Sequence, residues 1–179
     1  MRKLPILSVA VGVVGLLIVL FSVAKDNSEP IPTAQGSPGF GVTLPTGYRE
    51  WQVISVAHEA GNNNDIRAIL GNDIAMKAIR DATFPFPDGA IIVRLAYEYI
   101  SSARNNAIFG RDQSFIAGNP TNVQVSVKDS KRFTSTAGWG YGQFESGKVN
   151  TSEKVTNSCF ACHAKLPASE DFVFTKYSN

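Results

Sequence analysis

Three side chains with cofactor-binding chemistry lie within five consecutive residues near the C-terminus of this 179-residue chain. They are Cys159, Cys162 and His163, in the sequence Cys-Phe-Ala-Cys-His, which is the C-x-x-C-H attachment pattern of a c-type haem. Two thiols three positions apart can add to the two vinyl groups on one porphyrin edge, and the next imidazole can then reach the iron. The sequence therefore predicts one haem c, bound covalently through Cys159 and Cys162, with His163 as the iron ligand.

Other kinds of site also use two closely spaced cysteines. A thioredoxin-like redox pair normally begins a helix in a βαβ unit. Zinc needs two further Cys or His ligands, and His58 is the only such residue outside the pattern. A disulfide between the two thiols is the third alternative. Because both cysteines of the chain fall inside the pattern, the haem is favoured.

The N-terminus has the composition of a targeting segment. Arg2 and Lys3 precede an uncharged stretch over residues 4–24, which is long enough to span a bilayer at about 20 residues. Ser22-Val23-Ala24 has the form of a small-x-small cleavage site. We expect residues 1–24 to be a signal peptide or a membrane anchor. Either places the rest of the chain in the periplasm, the side of the bacterial membrane on which haem c is attached.

The rest of the chain divides into a linker and one domain. Residues 25–46 are rich in Pro, Gly, Ser and Asn, which predicts a linker, and the folded domain is expected over residues 47–179. Without Arg2 and Lys3, the basic residues would equal the 15 acidic ones. This neutral balance argues against nucleic acid as a partner.

Alternation of apolar and polar residues predicts a β-rich domain. In the clearest strand, 90–99, one face carries Ile91, Val93, Leu95, Tyr97 and Tyr99, and the other carries Ile92, Arg94, Ala96 and Glu98. Further strands are expected at 51–57, 65–70, 122–128 and 138–144, with a loop at 101–120 and one helical turn at 129–133. A short helix should begin at Asn72 or Asp73 and end near Asp81, with Ile74, Ala78 and Ile79 inward. Three glycines on one face of strand 138–144 should admit another backbone or a flat ligand, while Trp139 and Tyr141 are expected in the core or at a dimer contact.

Two familiar classes of haem c protein do not fit this pattern. Small electron-transfer cytochromes carry the motif near the start and a methionine ligand downstream, whereas no methionine follows His163 here. The four-helix cytochromes c′ need long helices with a 3.6-residue period. Residues 90–99 and 122–144 alternate with a period of two instead.

The motifs together resemble the cytochrome P-460 family and its relative cytochrome c′-beta. The resemblance spans nearly all of residues 47–177 and rests on Tyr48–Trp51, Phe86-x-Asp88-Gly89, Val127–Phe133, Gly138-Trp139, the C-x-x-C-H motif and Val173–Thr175. It implies an α+β fold, mainly an antiparallel β-sheet with short helices and a C-terminal haem c attachment. It also implies a homodimer, His163 as proximal ligand and an open distal face.

Two positions depart from what the resemblance implies. In cytochrome P-460 a lysine five residues beyond the Asp-Gly turn is crosslinked to the porphyrin, and here that residue is Arg94. A guanidinium stays protonated and is a poor nucleophile, so we expect no crosslink. Gln124 stands where a hydroxylamine-oxidising member has glutamate, which replaces a proton acceptor by a neutral amide.

Several residues are candidates for the distal pocket or for a sixth iron ligand. Arg94 is expected over the haem, at a haem propionate or paired with Glu98. Gln124, Phe84 and Phe86 are further distal-pocket candidates, with core packing as the alternative for both phenylalanines. His58 and Met76 are potential sixth ligands, but a surface histidine and a core methionine are favoured.

Three functions follow from these expectations. The first is a haem protein that binds nitric oxide or a related small gaseous or nitrogenous ligand, since an open site in an apolar pocket favours neutral diatomics. The second is an oxidoreductase that oxidises hydroxylamine or nitric oxide. The third and least favoured is an electron carrier, which needs a saturated iron. The last two also require a redox partner, which the sequence does not specify.

Overall fold

The computed structural model describes residues 41–145, 148–149 and 153–178. The predicted targeting segment at 1–24 and residues 25–40 of the predicted linker at 25–46 lie outside these residues. Within the described ranges, no helix is both long and apolar enough to cross a membrane.

Six strands form one sheet in which every neighbouring pair is antiparallel and chain order equals spatial order. Within the described ranges, three α-helices accompany it. The strands are β1 (Gln52–Glu59), β2 (Asp65–Gly71), β3 (Ile91–Ser101), β4 (Phe115–Lys128), β5 (Trp139–Glu145) and β6 (Lys148–Val149), and the helices are α1 (Asp73–Arg80), α2 (Ala103–Phe109) and α3 (Glu153–His163). The expected α+β fold, mainly antiparallel sheet with short helices, is confirmed.

The loop predicted at 101–120 is wrong. Residues 103–109 form α2, and β4 begins at Phe115 rather than at residue 122. Gly118, Asn119 and Pro120 suggest a loop, but this half of β4 pairs only with β3, while β5 pairs from Val123 onward. Proline lacks the N–H that a central strand needs and is tolerated at such an edge.

The two faces of the sheet have different roles. One face packs a core that includes Val93, Leu95 and Val125, covered by side chains from the segment before β1 such as Val42. The opposite face carries Ile69 and Ile92 and packs against α1, α3 and the C-terminal segment. The alternation predicted along 90–99 is therefore confirmed where β3 is buried.

Gly140 and Gly142 of β5 lie against side chains, Phe133 and Val42, rather than against a backbone or ligand, whereas a Cβ on Gly138, just before β5, would lie 3.3 Å from the Ser130 backbone. A Cβ on Gly140 would overlap the Phe133 ring, and one on Gly142 would lie 3.2 Å from Val42. Phe133 closes the predicted turn at 129–133, where its N–H donates to the Asp129 carbonyl. The glycines thus serve the face of the sheet that does not carry Arg94.

Helix α1 begins where the sequence predicts, but its buried face differs. The Asn72 side chain accepts from the Ala75 N–H and so caps the helix. This cap sets the helix phase so that Ala75, Met76 and Ala78 are buried, whereas Ile74 is 42% exposed. The inward placement predicted for Ile74 is therefore wrong.

Candidate functional site

A cavity of about 620 Å³ lies between the α1/α3 face of the sheet and the end of α3. This volume is in the range of cofactor pockets. The first five strands and the C-terminal segment 173–176 contribute to its wall, and α3 contributes Ser158, Cys159, Cys162 and His163. All three residues of the predicted haem set are thus on one cavity wall.

Helical spacing explains why the three side chains meet. Residues three and four apart on a helix lie on the same face, and Cys159 is three residues from Cys162 and four from His163. Cys159 is half-buried and Cys162 is exposed. Burial, followed by the neighbouring Cys162, raises the pKa of the Cys159 thiol. The helix therefore presents two thiols and an imidazole to one cavity.

The imidazole of His163 is held in one tautomer. Its Nδ1–H donates to the Phe172 carbonyl at 2.7 Å, and a carbonyl can only accept, so the Nε2 lone pair is left for a metal. Tyr141 and Phe174 flank the ring, with centroids at 4.7 and 4.9 Å. Burial lowers the pKa of His163, and the hydrogen bond to Phe172 acts in the opposite direction. Both the tautomer and the neutral form suit an iron ligand.

A buried ion pair fixes the segment that holds the Phe172 carbonyl. Lys128 Nζ lies 2.8 Å from both carboxylate oxygens of Asp171, and both side chains are 5% exposed. The Asp171 carboxylate also accepts from the Phe86 N–H, and its carbonyl accepts from the Trp139 indole. Asp171 and Phe172 both have positive φ, 48° and 61°. The bonds around Asp171 thus hold in place a backbone turn that few non-glycine residues adopt.

Arg94 lies on the cavity wall, as the resemblance implies. Its Nη2 donates to the Asn122 side chain at 2.6 Å, while its Nε is buried with no hydrogen-bond partner among the described residues. Burial, and then the charge of Arg67, lowers the pKa of the Arg94 guanidinium to about 10. The pairing with Glu98 is not found, because Glu98 accepts from Asn119 instead.

Further polar residues line the same wall. Arg67 contacts Asp65 at 2.6 Å and Glu59 at 3.1 Å, so its charge is compensated twice. Gln124 also reaches the cavity, and its amide donates to the Gln143 side chain at 2.8 Å. Sequence reasoning missed Glu59 and Arg67, although their alternate spacing on β1 and β2 places them on the face that carries Arg94.

Four other candidates lie elsewhere. His58 is exposed and stacks on Tyr99, and Met76 is 1% exposed in the core. Phe86 is 2% exposed and packs edge-on against Trp139, with Phe84 next to it. The core alternative thus describes Phe86. Trp139 and Tyr141 are buried, as expected, and also line the cavity.

The residues on this wall fit a haem. The donor set provides two thiols for a covalent bond and one imidazole with a free Nε2. The apolar side chains of Ile69, Ile92 and Val173 suit a flat macrocycle, and the Arg94 Nε–H, which has no acceptor among the described residues, suits an anionic substituent or ligand. These features hold irrespective of any sequence comparison.

Comparison with known proteins adds one finding. The sequence model of the Cytochrome P460 family matches residues 45–175, which cover the sheet, α3 and the segment that carries Phe172. No match was found among curated proteins. Since the match covers most of the chain and includes every element that forms the cavity, this chain belongs to the cytochrome P460 family of haem proteins.

Proposed function

We propose that the chain is a mono-haem c-type cytochrome with an open distal site that binds nitric oxide or related small nitrogen ligands. In this proposal Cys159 and Cys162 form the thioether bonds and His163 is the proximal ligand. The observation that carries it is the common face of α3, which presents all three side chains to one cavity with the His163 tautomer already fixed.

The cavity wall supports an open sixth position. A haem bound there would supply an iron that can take an external ligand. Among the described residues that line the cavity, His163 is the only imidazole and no methionine is present. Ile69 and Ile92 add apolar surface, which favours uncharged diatomics over ligands that must be desolvated.

Oxidation of hydroxylamine or nitric oxide is the second candidate function. Glu59 favours it, because this carboxylate lines the cavity and is a potential proton acceptor. Its ion pair with Arg67 and the neutral amide of Gln124 weigh against it. Simple electron transfer is least favoured, because the described cavity wall offers no strong second ligand.

The proposal includes a cellular location and an oligomeric state. The uncharged segment at 4–24 supports export to the periplasm, either as a soluble protein or anchored by that segment. The exposed apolar side chains at one end of the β3–β4 hairpin support a homodimer.

The test uses protein produced in a host able to mature cytochromes c. Acid–acetone extraction should leave haem on the wild-type chain and remove it from the Cys159→Ser/Cys162→Ser variant. The ferrous protein should then show a five-coordinate high-spin spectrum that changes on addition of nitric oxide. Extractable haem in the wild type would refute the covalent bond, and a six-coordinate low-spin ferrous spectrum would refute the open site.

A further inference from the structure

Arg94 is the cavity-wall cation that lacks a carboxylate partner in the described part of the chain. Arg67, on the neighbouring strand, pairs with both Asp65 and Glu59. Lys176, at the cavity rim, pairs with Glu170 and is 75% exposed. Among the described residues, the guanidinium of Arg94 hydrogen-bonds to the neutral Asn122 amide, and the carboxylates of Asp65 and Glu59 act on its charge without forming an ion pair with it.

A partly buried guanidinium without an ion-pair partner is costly. Moving an unpaired charge out of water carries a large desolvation penalty, and an N–H left without an acceptor adds to it. Asn122 satisfies one Nη2 donor, while the buried Nε–H has no acceptor within the described ranges. An anion brought into the cavity would relieve both penalties.

The arrangement also favours one shape of anion. Guanidinium N–H groups form a planar fork that matches two oxygens of a carboxylate or other planar oxyanion. The 2.6 Å bond to Asn122 across the β3–β4 pair fixes the orientation of that fork. Asn122 is therefore a positioning residue for Arg94.

We propose that Arg94, held by Asn122, is a receptor for a planar oxyanion in the haem cavity. This inference rests on the proposed function and extends its ligand class. The site would then bind nitrite from solution in addition to neutral diatomics. A carboxylate of the haem itself has the same chemistry and is the second source that the experiment must distinguish.

Two variants disable the receptor in different ways. Arg94→Gln removes the charge, and Asn122→Asp is nearly isosteric but gives the guanidinium an internal carboxylate that competes with any external anion. The second variant keeps the test decisive if Arg94→Gln folds poorly. Lys176→Gln is the matched control, because it removes a different positive charge from the cavity wall.

The measurement compares an anion with a neutral ligand in the ferric holoprotein at constant ionic strength. Nitrite affinity should fall about tenfold to a hundredfold in Arg94→Gln and Asn122→Asp, as expected for loss of a charge-assisted hydrogen bond. Imidazole affinity should stay unchanged in both, and Lys176→Gln should match the wild type. If neither nitrite nor imidazole binds the wild type, the open site proposed above is refuted, rather than the role of Arg94.

Resonance Raman spectra distinguish the two sources of the anion. The bending mode of the haem propionates reports hydrogen bonds to those carboxylates. Unchanged nitrite affinity with a shifted propionate mode in both variants would assign the receptor to the haem carboxylate. If neither quantity changes, Arg94 receives no anion and the proposal is overturned.

Discussion

At the residue scale, Arg94 separates this chain from members with a crosslinked haem. The resemblance places it where a lysine bonds to the porphyrin, and the structure puts Arg94 on the cavity wall. Its pKa, although lowered to about 10 by burial and by Arg67, leaves the guanidinium protonated at neutral pH. A protonated guanidinium has no lone pair to offer a porphyrin carbon.

We therefore predict that the haem is held by two thioether bonds only. The mass of the holoprotein should equal that of the apoprotein plus one haem, with no further loss of hydrogen, and the ferrous Soret band should lack the strong red shift of a crosslinked ring. Arg94→Lys should be able to form the bond when a two-electron oxidant such as peroxide is added to take up the two hydrogens that are lost, because a desolvated lysine amine is nucleophilic. A wild-type peptide that joins haem to both α3 and β3 would contradict this.

Two interactions that position His163, and the ion pair between Glu59 and Arg67, could not be predicted from the sequence. The C-x-x-C-H spacing fixes which side chains share one face of α3, since it is local to one helix. The Phe172 carbonyl and the Lys128–Asp171 pair depend on how the C-terminal segment returns to β4, which no local pattern encodes. Glu59 and Arg67 required the register of β1 against β2.

At the scale of elements, strands with strict alternation were predictable and those with conflicting signals were not. The strands predicted at 51–57, 65–70 and 138–144 agree within two residues with β1, β2 and β5. The first half of β4 was missed because Pro120 marks a loop unless the strand is known to be an edge. Helix α3 was not predicted, since its described side chains Cys159, Cys162 and His163 face the cavity and give no apolar stripe.

The buried pair between β4 and the C-terminal segment should be critical for stability. Asp171→Asn leaves the Lys128 ammonium buried without a counter-charge, so the free energy of unfolding should fall by about 3–5 kcal/mol in urea denaturation. Glu170→Gln, which breaks the exposed pair with Lys176, should cost no more than about 1 kcal/mol. Lys128→Met combined with Asp171→Leu should recover part of the loss. Equal effects of Asp171→Asn and Glu170→Gln would show that burial of the pair is unimportant.

Asp171→Asn should also weaken the bond between the iron and the His163 imidazole. If Asp171 holds the Phe172 carbonyl in place, Asp171→Asn should weaken the hydrogen bond from His163 Nδ1 and make the imidazole a poorer electron donor. The iron–imidazole stretching frequency of the ferrous protein should then decrease, whereas Glu170→Gln should leave it unchanged. A decrease in both variants, or in neither, would show that the Lys128–Asp171 pair does not determine the position of His163.

Asp88 links the turn before β3 to the turn after β4 and should contribute to acid sensitivity. Its carboxylate accepts from the Ser130 N–H at 2.8 Å and from the hydroxyl at 2.7 Å. These bonds, the hydroxyl first, lower the pKa of Asp88 below its ordinary 3.8. The stabilisation is therefore complete above that value and is lost as pH falls through the lower, folded-state pKa.

Thermal unfolding of Asp88→Asn between pH 6 and pH 3 tests this linkage. The difference in melting temperature between wild type and variant should be largest at pH 6 and should shrink toward the acid end. Ser130→Ala, which removes the hydroxyl from the other side of the contact, should show the same trend with a smaller amplitude. A difference that is constant with pH would rule out the carboxylate as its origin.

At the scale of the whole molecule, the two faces of the antiparallel sheet have different surroundings. One face is closed by the segment before β1 and by Phe133, and the other holds the cavity. The far end of the β3–β4 hairpin extends past the neighbouring strands β2 and β5 and exposes apolar side chains. They are Ile100, Ile108, Phe109, Phe115 and Ile116, each at least 41% exposed.

We predict that this hairpin end is the contact surface of a homodimer. In a two-fold dimer the same patch meets itself, so one substitution places two like charges in the interface. Phe115 stacks on Tyr99 at 4.5 Å, which gives the patch a rigid aromatic centre. Sedimentation velocity should show a dimer for the wild type and a monomer for Ile108→Glu/Phe115→Glu, with the haem spectrum retained. Ile74→Glu, an equally exposed site on α1 near the opposite end of β3, should remain dimeric; a monomeric wild type would end this interpretation.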